Sequence, residues 1–292
     1  MEKKVKDTEQ KSYSKTEKTE EKSVKTAEKK AEKAAPKTGR KAGTFVPPKK
    51  GWKLVAYILG LLVWTGVCLI AAQVIIAVIF TSFLPKESLT KTAVNTAYQA
   101  VTFAVCLVMT IGIPWGLAKV KTSRDELGLR GLPTWTDIGL GVIGIIVALM
   151  LGLAATWLVQ LAIPQCAEGL TTFCVDWSQD QDVGFNDVYT RGDMLLTFVS
   201  LVIVAPICEE IIFRGWLYGK MRSRLTAPVA MLLTSLLFGL MHGQINVGLT
   251  VFVMSLVMCL IRELTGTIYG GIIVHMLKNG LAFYLLYVVG LK

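Results

Sequence analysis

Beyond residue 50 this chain is a succession of apolar runs separated by short polar breaks, and most of the runs are long enough to cross a bilayer as helices. Seven are recognisable, at about residues 53–84, 93–118, 138–163, 194–218, 226–243, 247–266 and 267–290. The first is longer than a bilayer requires and should tilt or project beyond it. The break between the last two is Arg262-Glu263-Leu264-Thr265-Gly266, a polar pair followed by a glycine stop. The pattern predicts an all-α protein: a polytopic transmembrane helical bundle of about seven spans over residues 51–292.

Composition adds a second region. Hydrophobic residues make up 53% of the chain and charged residues 18%, yet the net charge is +10, so the two kinds must be segregated. Residues 1–50 hold sixteen Lys and Arg against eight Asp and Glu, a net of +8, with few large apolar residues. Such a Lys/Glu-rich stretch buries too little apolar surface to offset its chain entropy, and a disordered basic tail is expected. Its first apolar run begins near Leu54, too late and too long for a secretory signal peptide. A solvated linker is the favoured reading of this tail, with weak attachment to anionic lipid headgroups as the alternative; aromatic residues barely interleave its lysines, so no nucleic-acid partner is expected.

Orientation follows from the positive-inside pattern. The tail, then Lys119, Lys121, Arg124 and Arg130, then Lys220, Arg222 and Arg224, and finally Arg262 recur after every two crossings. The N-terminus is therefore expected in the cytoplasm, in a multi-pass protein of a prokaryotic plasma membrane. The loop from Gln165 to Asp193 falls outside and is acidic, with Glu168, Asp176, Asp180, Asp182, Asp187 and Asp193 against Arg191. Cys166 and Cys174 in this loop can pair there if that side is oxidising. Cys68, Cys106, Cys208 and Cys259 lie in apolar runs and read as small packing residues.

Ionisable groups well inside the runs, costly in a bilayer, occur only in the fourth, fifth and seventh. Glu210 and Arg214 stand at i and i+4, the favourable order for a helical ion pair. Glu209 is turned about 100° from Glu210, so the two should not share a partner; an unpaired buried carboxylate there suits a general base. His242 lies at a depth similar to Glu209, with Phe238 four residues earlier placed to hold its ring. His275 and Asn279 share one face of the last span and could donate to an oxyanion.

Two chemistries fit. In the favoured one, Glu209 and His242 activate water while His275 and Asn279 stabilise the oxyanion, with no cofactor. In the other, Glu209, His242 and His275 bind Zn²⁺ or another divalent metal. Lys278, between His275 and Asn279, needs a cavity, a partner or a long reach to an interface. No inverted repeat points to a transporter, and no Gly-x-Ser-x-Gly elbow to a serine hydrolase.

The ordered set Glu209-Glu210-x-x-x-Arg214, Phe238-x-x-x-His242 and His275-x-x-x-Asn279 resembles the CPBP (Abi) family of intramembrane proteases, which includes the type II CAAX prenyl endopeptidase. The match covers about residues 194–290, with a weaker echo in Glu126-Leu-Gly-Leu-Arg130. The resemblance implies a helical bundle with a cavity open to the cytoplasm and an endopeptidase acting on membrane-associated or lipidated peptides. Glu209 would activate water with His242, His275 and Asn279 would form the oxyanion site, and Glu210, Arg214 and Phe238 would support them. It also leaves room for a catalytically silent scaffold or bacteriocin-immunity protein. Both glutamate-dependent and metal-dependent descriptions exist in the family, so the metal question stays open.

Overall fold

Backbone amides and carbonyls in hydrocarbon find no water to bond, so long apolar segments satisfy them internally as helices. The computed structural model describes residues 51–290 except 90, 118, 167–172, 180–184 and 186–187. The tail at 1–50, its expected disorder and its boundary, Lys292, and the acidic Glu168, Asp180, Asp182 and Asp187 lie outside the described residues.

Among the described residues the principal elements are α1 (Gly51–Phe83), α2 (Thr92–Gly116), a one-turn α3 (Arg124–Leu127), α4 (Trp135–Gln160), α5 (Arg191–Arg222), α6 (Ala227–Leu240), α7 (Ile245–Thr265) and α8 (Tyr269–Val289). Six of these are long and apolar enough to cross a membrane. The fifth expected span is α6, whose 14 residues rise only about 21 Å, short of a hydrocarbon core of about 30 Å. Its apolar run continues to His242, but the helix stops at Leu240 and turns through Gly243, whose φ of 71° is left-handed. α6 and α7 form a hairpin, so the short helix leaves the parity of the crossings unchanged.

The helix starts are set by caps rather than by the apolar runs. Ser123, Thr134 and Thr190 each close a capping box, with Glu126, Asp137 and Asp193 respectively. Hence α4 and α5 begin three residues before the apolar pattern does. Gly266, φ 74°, ends α7 as the sequence predicted.

The helices alternate in direction, so the bundle has two chemically distinct ends. At one, Tyr218 Oη donates to Glu263 at 2.7 Å and Arg222 pairs with the same carboxylate at 2.9 Å. Arg262 donates to the carbonyls of Gly266 and Glu126, and Ile268 N donates to Gly128 O, which tie the Glu126–Arg130 segment beneath α5 and α7. Asp137 accepts from Thr134 and Thr267, joining α4 to the start of α8. At the other end, Cys166 and Cys174 form a disulfide beside the Gln165–Val175 bridge. Ser178 and Gln165 donate to Asp176 there and hold its carboxyl below the usual carboxylate range. This loop reaches back to the bundle through Asn246, which donates to Gln179 O, and Tyr287, which donates to Phe185 O.

Small residues let helices approach closely, as is common in membranes. A Cβ on Gly239 of α6 would lie 2.7 Å from the Gly248 carbonyl of α7, and one on Gly248 would lie 2.9 Å from Gly239 O. The buried apolar cluster includes Ile212, Leu217, Met221 and Met258 near the Arg222–Glu263 end and extends to Leu69, Cys106 and Val251.

Candidate active site in the α5–α8 cavity

Glu209 and Glu210 close a short α-helical stretch of α5, Ala205–Glu210, between two π-helical stretches, Val199–Val204 and Ile211–Leu217. Such wide turns recur at functional positions. Here Pro206 supplies a reason for one of them. In the first stretch Ala205 N bonds to Ser200 O, five residues back. The same spacing would pair Leu201 O with Pro206, which has no N–H. Asn279 Nδ2, from α8, donates to Leu201 O at 2.9 Å instead. One amide hydrogen of Asn279 is thus committed to a backbone carbonyl, and the other is left for the cavity.

The pair of adjacent carboxylates departs from the expectation that they cannot share a partner. His275 Nδ1 lies 3.2 Å from Glu210 Oε1, while its Nε2 lies 3.8 Å from Glu209 Oε2. The two nitrogens point to opposite sides of the ring, so one imidazole from α8 spans two carboxylates that diverge around α5. His275 thus faces Glu209 directly, and His242 lies within electrostatic reach of the same carboxylate. Glu210 accepts from Nδ1, which fixes the ring; Nε2 then donates only in the imidazolium form. The 3.8 Å gap is too long for a hydrogen bond.

Behind this cluster the i,i+4 pair forms as the sequence predicted. Arg214 Nη1 donates to Glu210 Oε1 at 2.7 Å, and both side chains are fully buried. The Arg214 guanidinium lies 4.3 Å from the Phe238 ring centroid, a cation–π contact. Phe238 also meets His242 edge-on at 5.1 Å and His275 at 5.9 Å, and its carbonyl accepts from His242 Nδ1 at 2.9 Å. A carbonyl only accepts, so Nδ1 carries the hydrogen and the other nitrogen of the neutral ring is an acceptor. Gly271 of α8 is small for the same cluster: a Cβ there would lie 2.8 Å from Glu210 Oε2.

A cavity of about 460 Å³ opens over these groups, lined by Glu209, His242, His275, Lys278 and Asn279. Glu210 and Arg214 stand behind its wall. Lys278 interacts electrostatically with Glu209, so its anionic neighbour is inside the protein. Single polar residues that sequence reasoning missed, Gln73 of α1 and Tyr98, Gln99 and Thr102 of α2, line the same space. A lone Gln or Thr in an apolar run was the signal available for them.

Among the described residues no three His, Cys, Asp or Glu side chains converge as metal ligands. His242 bonds through Nδ1 to the Phe238 carbonyl and His275 through Nδ1 to Glu210, so each ring keeps Nε2 for a further partner, an arrangement that metal-bound and proton-accepting imidazoles share.

The fold and the cavity define a polytopic helical membrane protein with a carboxylate and imidazole cluster buried between its helices. Residues 191–281 match the family described as "Rce1-like: Type II CAAX prenyl endopeptidase Rce1-like", a match that supports the CPBP family over these helices. An "Uncharacterized 24.3 kDa protein" of Escherichia coli is 35% identical over 89 residues, which are 29% of this chain and 41% of that protein. The chain thus spans less than half the length of this curated relative. No solved structure matches.

Proposed function

We propose that this chain is an intramembrane endopeptidase that hydrolyses peptide bonds of membrane-associated or lipidated peptides with a water activated by Glu209. The water oxygen attacks the scissile carbonyl as Glu209 takes its proton, and His242, through its unprotonated nitrogen, accepts a hydrogen bond from the same water. The free amide hydrogen of Asn279 and the imidazolium form of His275 are the donors available to the developing oxyanion. Collapse of the tetrahedral intermediate breaks the C–N bond, and the proton held by Glu209 passes to the leaving amine. Glu210, buried against Arg214, orients His275.

The observation that carries this reading is that Glu209 of α5, His242 of the α6–α7 turn, and His275 and Asn279 of α8 all line one cavity. The test compares Glu209→Ala and His242→Ala with the wild-type chain in membranes given candidate peptides. We expect rate losses of about 10²–10⁴-fold with normal expression, the range for removing a general acid or base. Equal cleavage by all three chains sinks the assignment and leaves a binding role, as a scaffold or immunity protein. A chelator in the same assay is expected to leave cleavage intact; loss restored by Zn²⁺ reinstates the metal.

A further inference from the structure

The cavity lies in one half of the bundle only. From Glu209 and His242 its lining runs through Thr102 and Gln99 to Gln73, Tyr98 and Tyr287, and Tyr287 is bonded to the loop that follows the disulfide. Tyr98 Oη donates to Gln73 O, and Ser200 Oγ to Gln99 Oε1, so this stretch has a polar rim. In the other direction Phe213 and Phe238 form the floor. Below them Ile212, Trp216, Leu217, Tyr218 and Met221 are all 2% exposed or less, and the Tyr218–Glu263–Arg222 cluster closes the end.

The two ends also differ in charge. Lys119, Lys121, Arg130, Arg222 and Arg224 gather at the closed end, where Lys220 reaches Lys121 O at 3.2 Å and Glu126 at 3.6 Å. At the cavity end the described cations of the connecting segments are Lys86, Lys91 and Arg191, and the disulfide is there too. Short basic loops stay in the cytoplasm, and disulfides form on the oxidising side. Two independent features therefore assign the closed end to the cytoplasm.

We propose that the cavity is entered from the non-cytoplasmic side, so that its substrates are peptides held in or against the outer leaflet and not cytoplasmic tails. This rests on the endopeptidase reading for the word substrate, and on the charge and cavity geometry alone for the side of entry. It reverses the cytoplasmic opening that the family resemblance implied. A cavity of about 460 Å³ falls within the usual range for a small ligand or short peptide segment.

The test is thiol accessibility. In a chain whose Cys68, Cys106, Cys208 and Cys259 are replaced by Ala, with the disulfide kept, Ala282→Cys probes the cavity wall and Ser223→Cys the closed end. With a membrane-impermeant maleimide we expect Ala282→Cys to label in intact cells and Ser223→Cys only after permeabilisation. The reverse pattern, or an Ala282→Cys that labels only after permeabilisation, overturns the proposal. In case the four replacements impair folding, the wild-type chain is also given a lipid-anchored reporter peptide added to right-side-out and inside-out vesicles. Cleavage in the right-side-out set supports entry from outside, and cleavage confined to the inside-out set overturns it. Labelling needs no catalysis, so a correct labelling pattern with an inert Glu209 removes only the enzyme, and a reversed pattern with active Glu209 removes only the side of entry.

Discussion

At the scale of single residues, the feature with the largest energetic stake is the buried Glu210–Arg214 pair. Removing one partner of such a pair leaves an uncompensated charge and costs about 3–5 kcal/mol, whereas replacing both with apolar groups is often near neutral. We expect Glu210→Gln to lose stability on that scale in reversible detergent unfolding, and Glu210→Gln with Arg214→Met to recover most of it. The double variant should nevertheless stay inactive, because His275 Nδ1 has lost its carboxylate acceptor. Recovery of both stability and cleavage would show that the pair is scaffolding alone. This pair was legible in the sequence because i,i+4 spacing is a property of one helix. The His275 clasp was not, since it depends on how α8 packs against α5 and on a ring with two opposed nitrogens. The same reason hid the commitment of Asn279 to Leu201, although Pro206, a residue without an N–H inside an apolar run, marked where a carbonyl would need a partner.

At the scale of elements, apolar periodicity located the helices but not their ends or their internal geometry. Caps at Thr134 and Thr190 moved two starts, and the 226–243 run concealed a helix that stops at Leu240. The π-helical stretches flanking Glu209 have no compositional signature beyond Pro206, so they were invisible from sequence. What holds His242 in place is the α6–α7 hairpin, with Gly239 and Gly248 backbone to backbone. Gly239→Ala must part these helices, because its Cβ meets a carbonyl and not a flexible side-chain tip. We expect a loss of about 1–3 kcal/mol, read as a lowered thermal midpoint, together with reduced cleavage as His242 shifts. Gly152→Ala, with nothing within 4 Å of its Cβ, is the matched control and should change neither.

At the scale of the whole molecule, charge placement and disulfide pairing define a bundle with two unlike ends, and the cavity occupies only one half. The two ends are legible in the spacing of cations along the chain; where the cavity lies between them is decided by how the helices pack. That asymmetry has an electrical consequence. With the entry proposed above, a polar-rimmed recess of about 460 Å³ fills with water from one side, and the transmembrane voltage is then expected to drop mainly across the packed layer between Phe213 and Arg222. A charge moved through the full field gains about 2.3 kcal/mol per 100 mV, but Glu209 and Lys278 sit near the potential of the cavity side and feel little of it. Collapsing the potential of sealed vesicles with an ionophore should therefore leave the cleavage rate unchanged, and a strong voltage dependence would place the insulating layer above Glu209 instead of below it.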